Sequence, residues 1–408
     1  MNGLAPTPSR RSFVRAALSA AALTPWASLA VAQPLAGARG ANRFVFVILR
    51  GGLDGLAAVP AIGDASFAEA RGSLASFAIG APLALADSAA PGLFALNPLL
   101  PQLHAMYGAG ELAVLHATGL PYRERSHFDA QQVLESGGTR PYELSTGWLG
   151  RAMQAPVQLR AVALQTAVPL VLRGPMEVDT WAPSNLPDPG AELLSRLELL
   201  YRGDSALAGA LARAKGLRQD MAGAMDNPQM SGGVAPGRAA AVGLARKAAE
   251  FLGSGAQIAV LEMGGWDSHA NQGAANGAFS NNLRTLDGAL AALREGLLGN
   301  GLWRQTVVLV ATEFGREVAG NGTGGTDHGS GGAAFVLGGA VRGGRVLADW
   351  PGLARKDRFE GRDLRITTDL RAAIKPILVD HLGVPGSAVD TRVLPGSAGL
   401  KALDLLRA

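Results

Sequence analysis

Side chains able to hold a metal ion or move a chemical group recur in this chain just beyond runs of branched apolar residues. Asp54 follows "FVFVIL"; Ser126 and His127 follow "ELAVLH" after a short loop; Asp267 and His269 follow "QIAVLEM". Glu313 and Arg316 follow "VVLVAT", and a glycine-rich stretch then leads to Asp327 and His328. Taken singly each has an ordinary reading. Asp54 is a turn aspartate before glycine, and Ser126 with Asp129 has the spacing of a helix cap. Together, carboxylates and imidazoles without any cysteine suit zinc, manganese, magnesium or calcium, and the histidines tip the choice toward zinc or manganese. Two such ions about 4 Å apart, with a serine oxygen between them, form a clamp for in-line displacement on a phosphate or sulfate ester.

Convergence of these positions requires a parallel sheet, because in open α/β proteins ligands bind beyond the carboxyl ends of the strands. Apolar runs predict strands at Phe44–Leu49, Glu111–His116, Gln257–Met263 and from Val307, then at "GGAAFVLGG" and "GGRVLA". Two more short strands are expected at "AVALQ" and "VPLVLRG", with residues 176–189 as a surface loop. Helices are expected over Pro98–Tyr107, from Ser126 to Glu135, from Asn276 to Leu298 with Leu283, Leu286, Leu290 and Leu293 on one face, and from Thr367 to Leu382. Residues 190–252 read as a helical insertion with its leucines as core, interrupted at Asn227–Gly237.

The 408 residues are 48% hydrophobic and 17% charged, enough for a sizeable core in one large domain or two. Zero cysteines exclude thiolate zinc sites, iron-sulfur clusters and cysteine nucleophiles, and suit an oxidising compartment. Near the start, Ser9-Arg10-Arg11-Ser12-Phe13-Val14-Arg15 precedes an apolar stretch, and Ala30-Val31-Ala32 fits a cleavage site. This order predicts a twin-arginine signal over residues 1–32, the twin-arginine translocase as an export partner, and a periplasmic or secreted domain over 33–408. The stretch is too short and mild for a stable membrane span. The leader also carries Arg10, Arg11 and Arg15 and no acid, so most of the +4 net charge belongs to it and supports no nucleic-acid partner.

The motifs "LRGGLDGL", "RSHFDAQ", "GWLGRAM", "GGWDSHANQ", "TEFGRE" and "GTDHGSGG", behind such a leader, resemble the secreted bacterial proteins grouped as domain-of-unknown-function family 1501. That family is itself similar to the alkaline phosphatase and sulfatase superfamily. The resemblance implies an alkaline-phosphatase-like α/β three-layer sandwich, with a mostly parallel central sheet and helices on both faces. It also implies Asp54, Asp327 and His328 as ligands of one metal, Ser126 as nucleophile, and Asp267 with His269 toward a second metal. Glu313 stands where the superfamily places its aspartate and is a further ligand candidate; His381 is the available last histidine.

These expectations describe an exported hydrolase of phosphate or sulfate esters, with one or two divalent ions and a small-molecule or glycan ester as substrate. Ser126 attacks, His127 and Arg316 assist, and Arg123, Arg125 or Arg316 holds the anion. The alternative is a non-catalytic, metal-stabilised binding protein of the same fold. Gly320-x-Gly322-x-Gly324-Gly325 leads into no clear helix, which argues against a dinucleotide site, and no G-x-S-x-G occurs for a serine hydrolase of the α/β class.

Overall fold

A computed structural model describes residues 42–407 apart from 78, 88, 156–158, 184–188 and 222–236. The expected leader and its cleavage motif, and the expected break over 227–236, lie outside the described residues. Nine strands form one sheet: β1 Arg43–Leu49, β2 Leu112–Gly119, β3 Ala161–Ala163, β4 Asp179–Thr180, β5 Ile258–Met263, β6 Thr306–Thr312, β7 Gly332–Leu337, β8 Arg345–Leu347 and β9 Thr368–Asp369. Their order is β8-β2-β7-β6-β1-β5-β3-β4, with β9 beside β2. Only β7 runs antiparallel to its neighbours. The fold is therefore α/β around a mixed, mostly parallel sheet.

Helices cover both faces, which is why the central strands read as unbroken apolar runs. Alternation along β1 sends Val45, Val47 and Leu49 into one core and Phe44, Phe46 and Ile48 into the other. The first core is closed by α1 (Pro101–Gly108), and the second by α2 (His127–Ser136), where Phe46 packs 5.5 Å from the Trp148 ring. Helices α3 (Ala191–Tyr201) and α4 (Ser205–Met221) come next, then α5 (Arg238–Gly253) and α6 (Ala278–Gly299), which return to the first core. The expected face of α6 is the buried one.

Four expectations are corrected. "VPLVLRG" forms a short 3-10 turn at Leu170–Leu172 and not a strand, because Pro169 precedes it and its backbone turns back to receive α2 and Glu135. The supposed loop 176–189 contains the edge strand β4. The leucines of α3 are not core: no residue of that helix is buried, and Leu199 and Leu200 are 61% and 73% exposed. The last helix starts at Arg371, since Thr368 and Asp369 are held in the sheet by β2.

His116, inside β2, is fully buried and stacked on Phe94. Its Nε2 donates to the Val59 carbonyl, 2.9 Å away, and its Nδ1 accepts from the Ala117 N–H at 2.8 Å, so the neutral ring is satisfied on both sides. A second proton would face the Ala117 N–H. Burial accordingly lowers its pKa to about 4 from 6.5. Between those values the unfolded chain binds a proton that the native chain refuses. The contribution is intact above pH 6.5 and lost as pH falls toward 4, to the extent of roughly 3 kcal/mol. Denaturant titrations at pH 7 and pH 4.5 should show this loss, and His116→Gln should flatten it relative to wild type.

Candidate metal centre

The strands β5, β1 and β6 are neighbours, and they end flush: Leu49 pairs with Met263 on one side and with Thr312 on the other. The residues just past these three ends therefore meet at one edge. After β5 the chain turns at Gly265 (φ +87°) and delivers Asp267 and His269. After β6 come Glu313 and Arg316. Strand β7 is antiparallel, so its start lies at this same edge, with Gly332 opposite Thr118 near the end of β2. Asp327 and His328, just before β7, are thereby brought back to the edge that Glu313 left. The excursion closes on itself through Gly315 N–H to Ser330 O, Glu317 N–H to Asp327 O and Gly329 N–H to Gly315 O. The backbones approach so closely that a Cβ on Gly329 would lie 2.3 Å from the Arg316 carbonyl carbon. On the other wall, Gly51 (φ +119°) leaves no room for a Cβ against the Asp267 N–H.

Four side chains converge there. His127 Nε2 stands 3.1 Å from His328 Nε2 and 3.5 Å from Asp267 Oδ2. His328 Nε2 is 3.2 Å from Asp267 Oδ1 and 3.1 Å from His269 Nε2, which is itself 2.9 Å from Asp267 Oδ1. Ligand atoms of His127, Asp267 and His328 lie within 4.8 Å of one another and could hold a metal ion. The cluster is open to solvent, its side chains being 22% to 46% exposed. Burial raises the Asp267 carboxyl, but Arg316, donating at 2.6 Å, outweighs it and keeps the group below its ordinary value. The Glu313 hydrogen bond raises His127, whereas burial lowers His328.

Glu313 is buried and faces the back of the cluster. Its Oε1 accepts from His127 Nδ1, the Gly51 N–H and Gln131 Nε2 at 2.8–3.0 Å, and its Oε2 accepts from Thr312 Oγ1. Burial alone would raise this carboxyl; the donors win and hold it low. Asp327 plays the matching part for His269, Oδ1 to Nδ1 at 2.9 Å, and Asn321 braces it. Arg316 is 2% exposed and bonded to Asp267, Gly51 O and Thr326. Its donors point into the protein.

Asp54 belongs to another network. It caps the Ala57 N–H at 3.0 Å, pairs with the fully buried Arg71 at 2.6 Å and accepts from Gln272 at 2.6 Å. Ser126 precedes α2 but makes no capping bond with its side chain; its hydroxyl meets Tyr122, and Asp129 takes the Tyr122 hydroxyl at 3.0 Å. Arg125 is paired with Glu360 and Asp363. His381 is at the opposite edge, on the carbonyl of Arg43 where β1 begins. The seven residues of β1 put it about 20 Å from the site, so it is no candidate for the last histidine. The glycine-rich loop leads into no helix; Thr323 and Asn321 instead pin it to the His269 carbonyl.

Sequence reasoning passed over Gln131, Arg71 and Gln272. Gln131 was accessible to it, because position i+4 from His127 shares a helix face. Arg71 and Gln272 carried no local signal, since the partners they meet are set by tertiary packing.

No curated protein matches the sequence. Among solved structures, similarity extends to members of the alkaline phosphatase and sulfatase superfamily. A sulfatase from Pseudoalteromonas sp. is 14% identical, with 90% of this chain and 71% of that one covered, at a TM-score of 0.42. The phosphonate monoester hydrolase of Agrobacterium radiobacter is 15% identical over 84% and 74% of the two chains, at 0.35. An alkaline phosphatase superfamily protein from Vibrio parahaemolyticus is 12% identical over 73% and 60%, at 0.36. Residues 101–390, most of the chain, match the family described as "Protein of unknown function (DUF1501)", and the chain belongs to that family.

Proposed function

We propose that this chain is an exported, metal-dependent hydrolase of phosphate or sulfate esters, with its ion on His127, Asp267 and His328. The observation that carries the reading is the convergence of those three side chains in a solvent-open cluster. Imidazole and carboxylate donors without thiolate fit a divalent ion, which would supply charge neutralisation for an ester oxyanion. Ser126 lies one residue before His127, at the N-terminus of a ten-residue helix whose free N–H groups favour an anion. Its hydroxyl is not spent on capping. In this reading Ser126 Oγ bonds to phosphorus or sulfur as the alcohol leaves, and water then releases the acid.

Of the three arginines expected to hold the anion, elimination leaves Arg123, whose charged neighbour is Asp369. Arg316 is committed to Asp267 and Thr326, and Arg125 to Glu360 and Asp363. The substrate's alcohol portion, small molecule or glycan, would extend into solvent past the exposed Phe128. The leader sequence supports export by the twin-arginine translocase. No helix among the described residues is long and apolar enough to cross a membrane.

Purified mature protein, analysed for metal and assayed on an aryl phosphate and an aryl sulfate, tests the reading. Ser126→Ala should lower kcat by roughly 10³-fold or more while retaining metal. A metal-loaded protein with no activity on either ester would instead favour the non-catalytic, metal-stabilised reading. Arg123→Ala should raise KM about tenfold or more with a smaller change in kcat, as expected for a lost charge-assisted contact. Fractionation of cells expressing the full chain should find the Arg10→Lys/Arg11→Lys variant retained in the cytoplasm.

A further inference from the structure

We infer that the centre is a single-ion site with four protein donors, the Nε2 atoms of His127, His269 and His328 and the carboxylate of Asp267. In it, Glu313, Asp327 and the Arg125 carbonyl are the positioning groups that aim the three imidazoles. This rests on the metal reading above and not on ester hydrolysis.

The far side of each ring fixes its tautomer. His127 Nδ1 faces Glu313 Oε1 at 2.8 Å, His269 Nδ1 faces Asp327 Oδ1 at 2.9 Å, and His328 Nδ1 faces the Arg125 carbonyl at 2.9 Å. A carbonyl or an ionised carboxylate can only accept, so each Nδ1 carries a proton. A neutral ring with its proton on Nδ1 presents a lone pair at Nε2. The Nε2 lone pair of His328 therefore faces those of His127 and His269, each 3.1 Å away, and all three rings border the Asp267 carboxylate. That arrangement is repulsive unless positive charge sits among them.

Two kinds of positive charge are available: additional protons on the rings, or one metal ion. Zinc–nitrogen bonds of about 2.0–2.1 Å at a tetrahedral angle put their nitrogens about 3.3 Å apart, close to the 3.1 Å that separates His328 Nε2 from His127 and from His269. A carboxylate or carbonyl behind each ligating histidine is also what a metal site uses to fix ring orientation. The donor set selects the ion. Three imidazoles and one carboxylate suit zinc or another late first-row ion over magnesium, calcium or manganese, which prefer oxygen.

The same geometry leaves no place for a second ion on the remaining candidates. Asp54 has both oxygens taken, Oδ1 by the Ala57 N–H and Oδ2 by Arg71 and Gln272, whereas Asp267 meets Arg316 through Oδ1 and turns Oδ2 toward His127. Glu313 has both oxygens engaged by donors.

Full-length mature protein stripped with a chelator and titrated with zinc by calorimetry tests the inference. One equivalent should bind, and the cobalt-substituted protein should show the intense visible absorption of a four-coordinate ion, with imidazole scattering in its X-ray absorption spectrum. His269→Ala should weaken zinc binding at least 100-fold, and Glu313→Gln or Asp327→Asn about 10- to 100-fold. Asp54→Asn should leave stoichiometry at one. Asp327 is half-exposed, so its variant keeps the test valid if Glu313→Gln fails to fold. Two equivalents of zinc, no zinc binding by wild type, or unchanged affinity in His269→Ala would overturn it. Zinc bound without ester cleavage would leave this inference standing and remove the hydrolase reading; metal-dependent cleavage by a protein that binds two equivalents of zinc would do the reverse.

Discussion

The structure around the site depends on the carboxylate of Glu313. A charge buried to 1% exposure is tolerable only when its lone pairs are filled, and here the donors come from three elements. Gly51 brings the end of β1, His127 and Gln131 bring α2, and Thr312 brings the end of β6. One buried acid thus fixes the distance between two neighbouring strands and the helix above them. Because Gly51 also packs against the Asp267 backbone, the constraint passes on to the third strand end. Removing the acid would leave several donors without a partner in a dry place, which is the costly side of hydrogen-bond energetics.

Sheet direction explains the excursion between Glu313 and His328. If β7 were parallel to β6, the chain would have to cross back over a sheet face before starting it, and residues just before β7 would lie at the far edge. With β7 antiparallel, residues 313–331 need only loop over one edge, and both ends of that loop face the same space. Asp327-His328 is therefore the run-in to an antiparallel strand, whereas Asp267 and Glu313 are run-outs from parallel ones. The topology puts all three on one rim.

Much of this was legible in the sequence, and the limit has a physical cause. Apolar runs located the central strands and the buried face of α6, since those patterns follow directly from burial on two faces or one. They also gathered His127, Asp267, His269, Glu313, Asp327 and His328 at strand boundaries. What the sequence could not convey is which atom of each residue faces inward. Glu313 and Asp327 look like ligands by type and position, yet their oxygens face histidine Nδ1 atoms; Asp54 looks the same, yet a buried arginine 17 positions later takes it. The leucines of α3 misled for a related reason. Helical spacing reports a stripe, and only tertiary packing decides whether anything lies against it.

Arg316 shows how the cluster depends on a buried charge that braces one of its members. With its Nη1 on Asp267 and further bonds to Gly51 O and Thr326, its guanidinium is held inside the protein and cannot swing out to a substrate. It holds the Asp267 carboxyl below its ordinary value against burial, and it grips Oδ1, the oxygen beside His269 and His328, while Oδ2 faces His127. A lysine would supply the charge but not the planar, multiply bonded grip, so the position calls for arginine specifically. Arg316 holds the acid, Glu313 and Asp327 hold the imidazoles, and the backbone closures of the 313–331 loop hold the segment that carries Asp327 and His328. The imidazoles and the carboxylate of the cluster are thus held in place by contacts within the protein itself, which is the physical meaning of preorganisation.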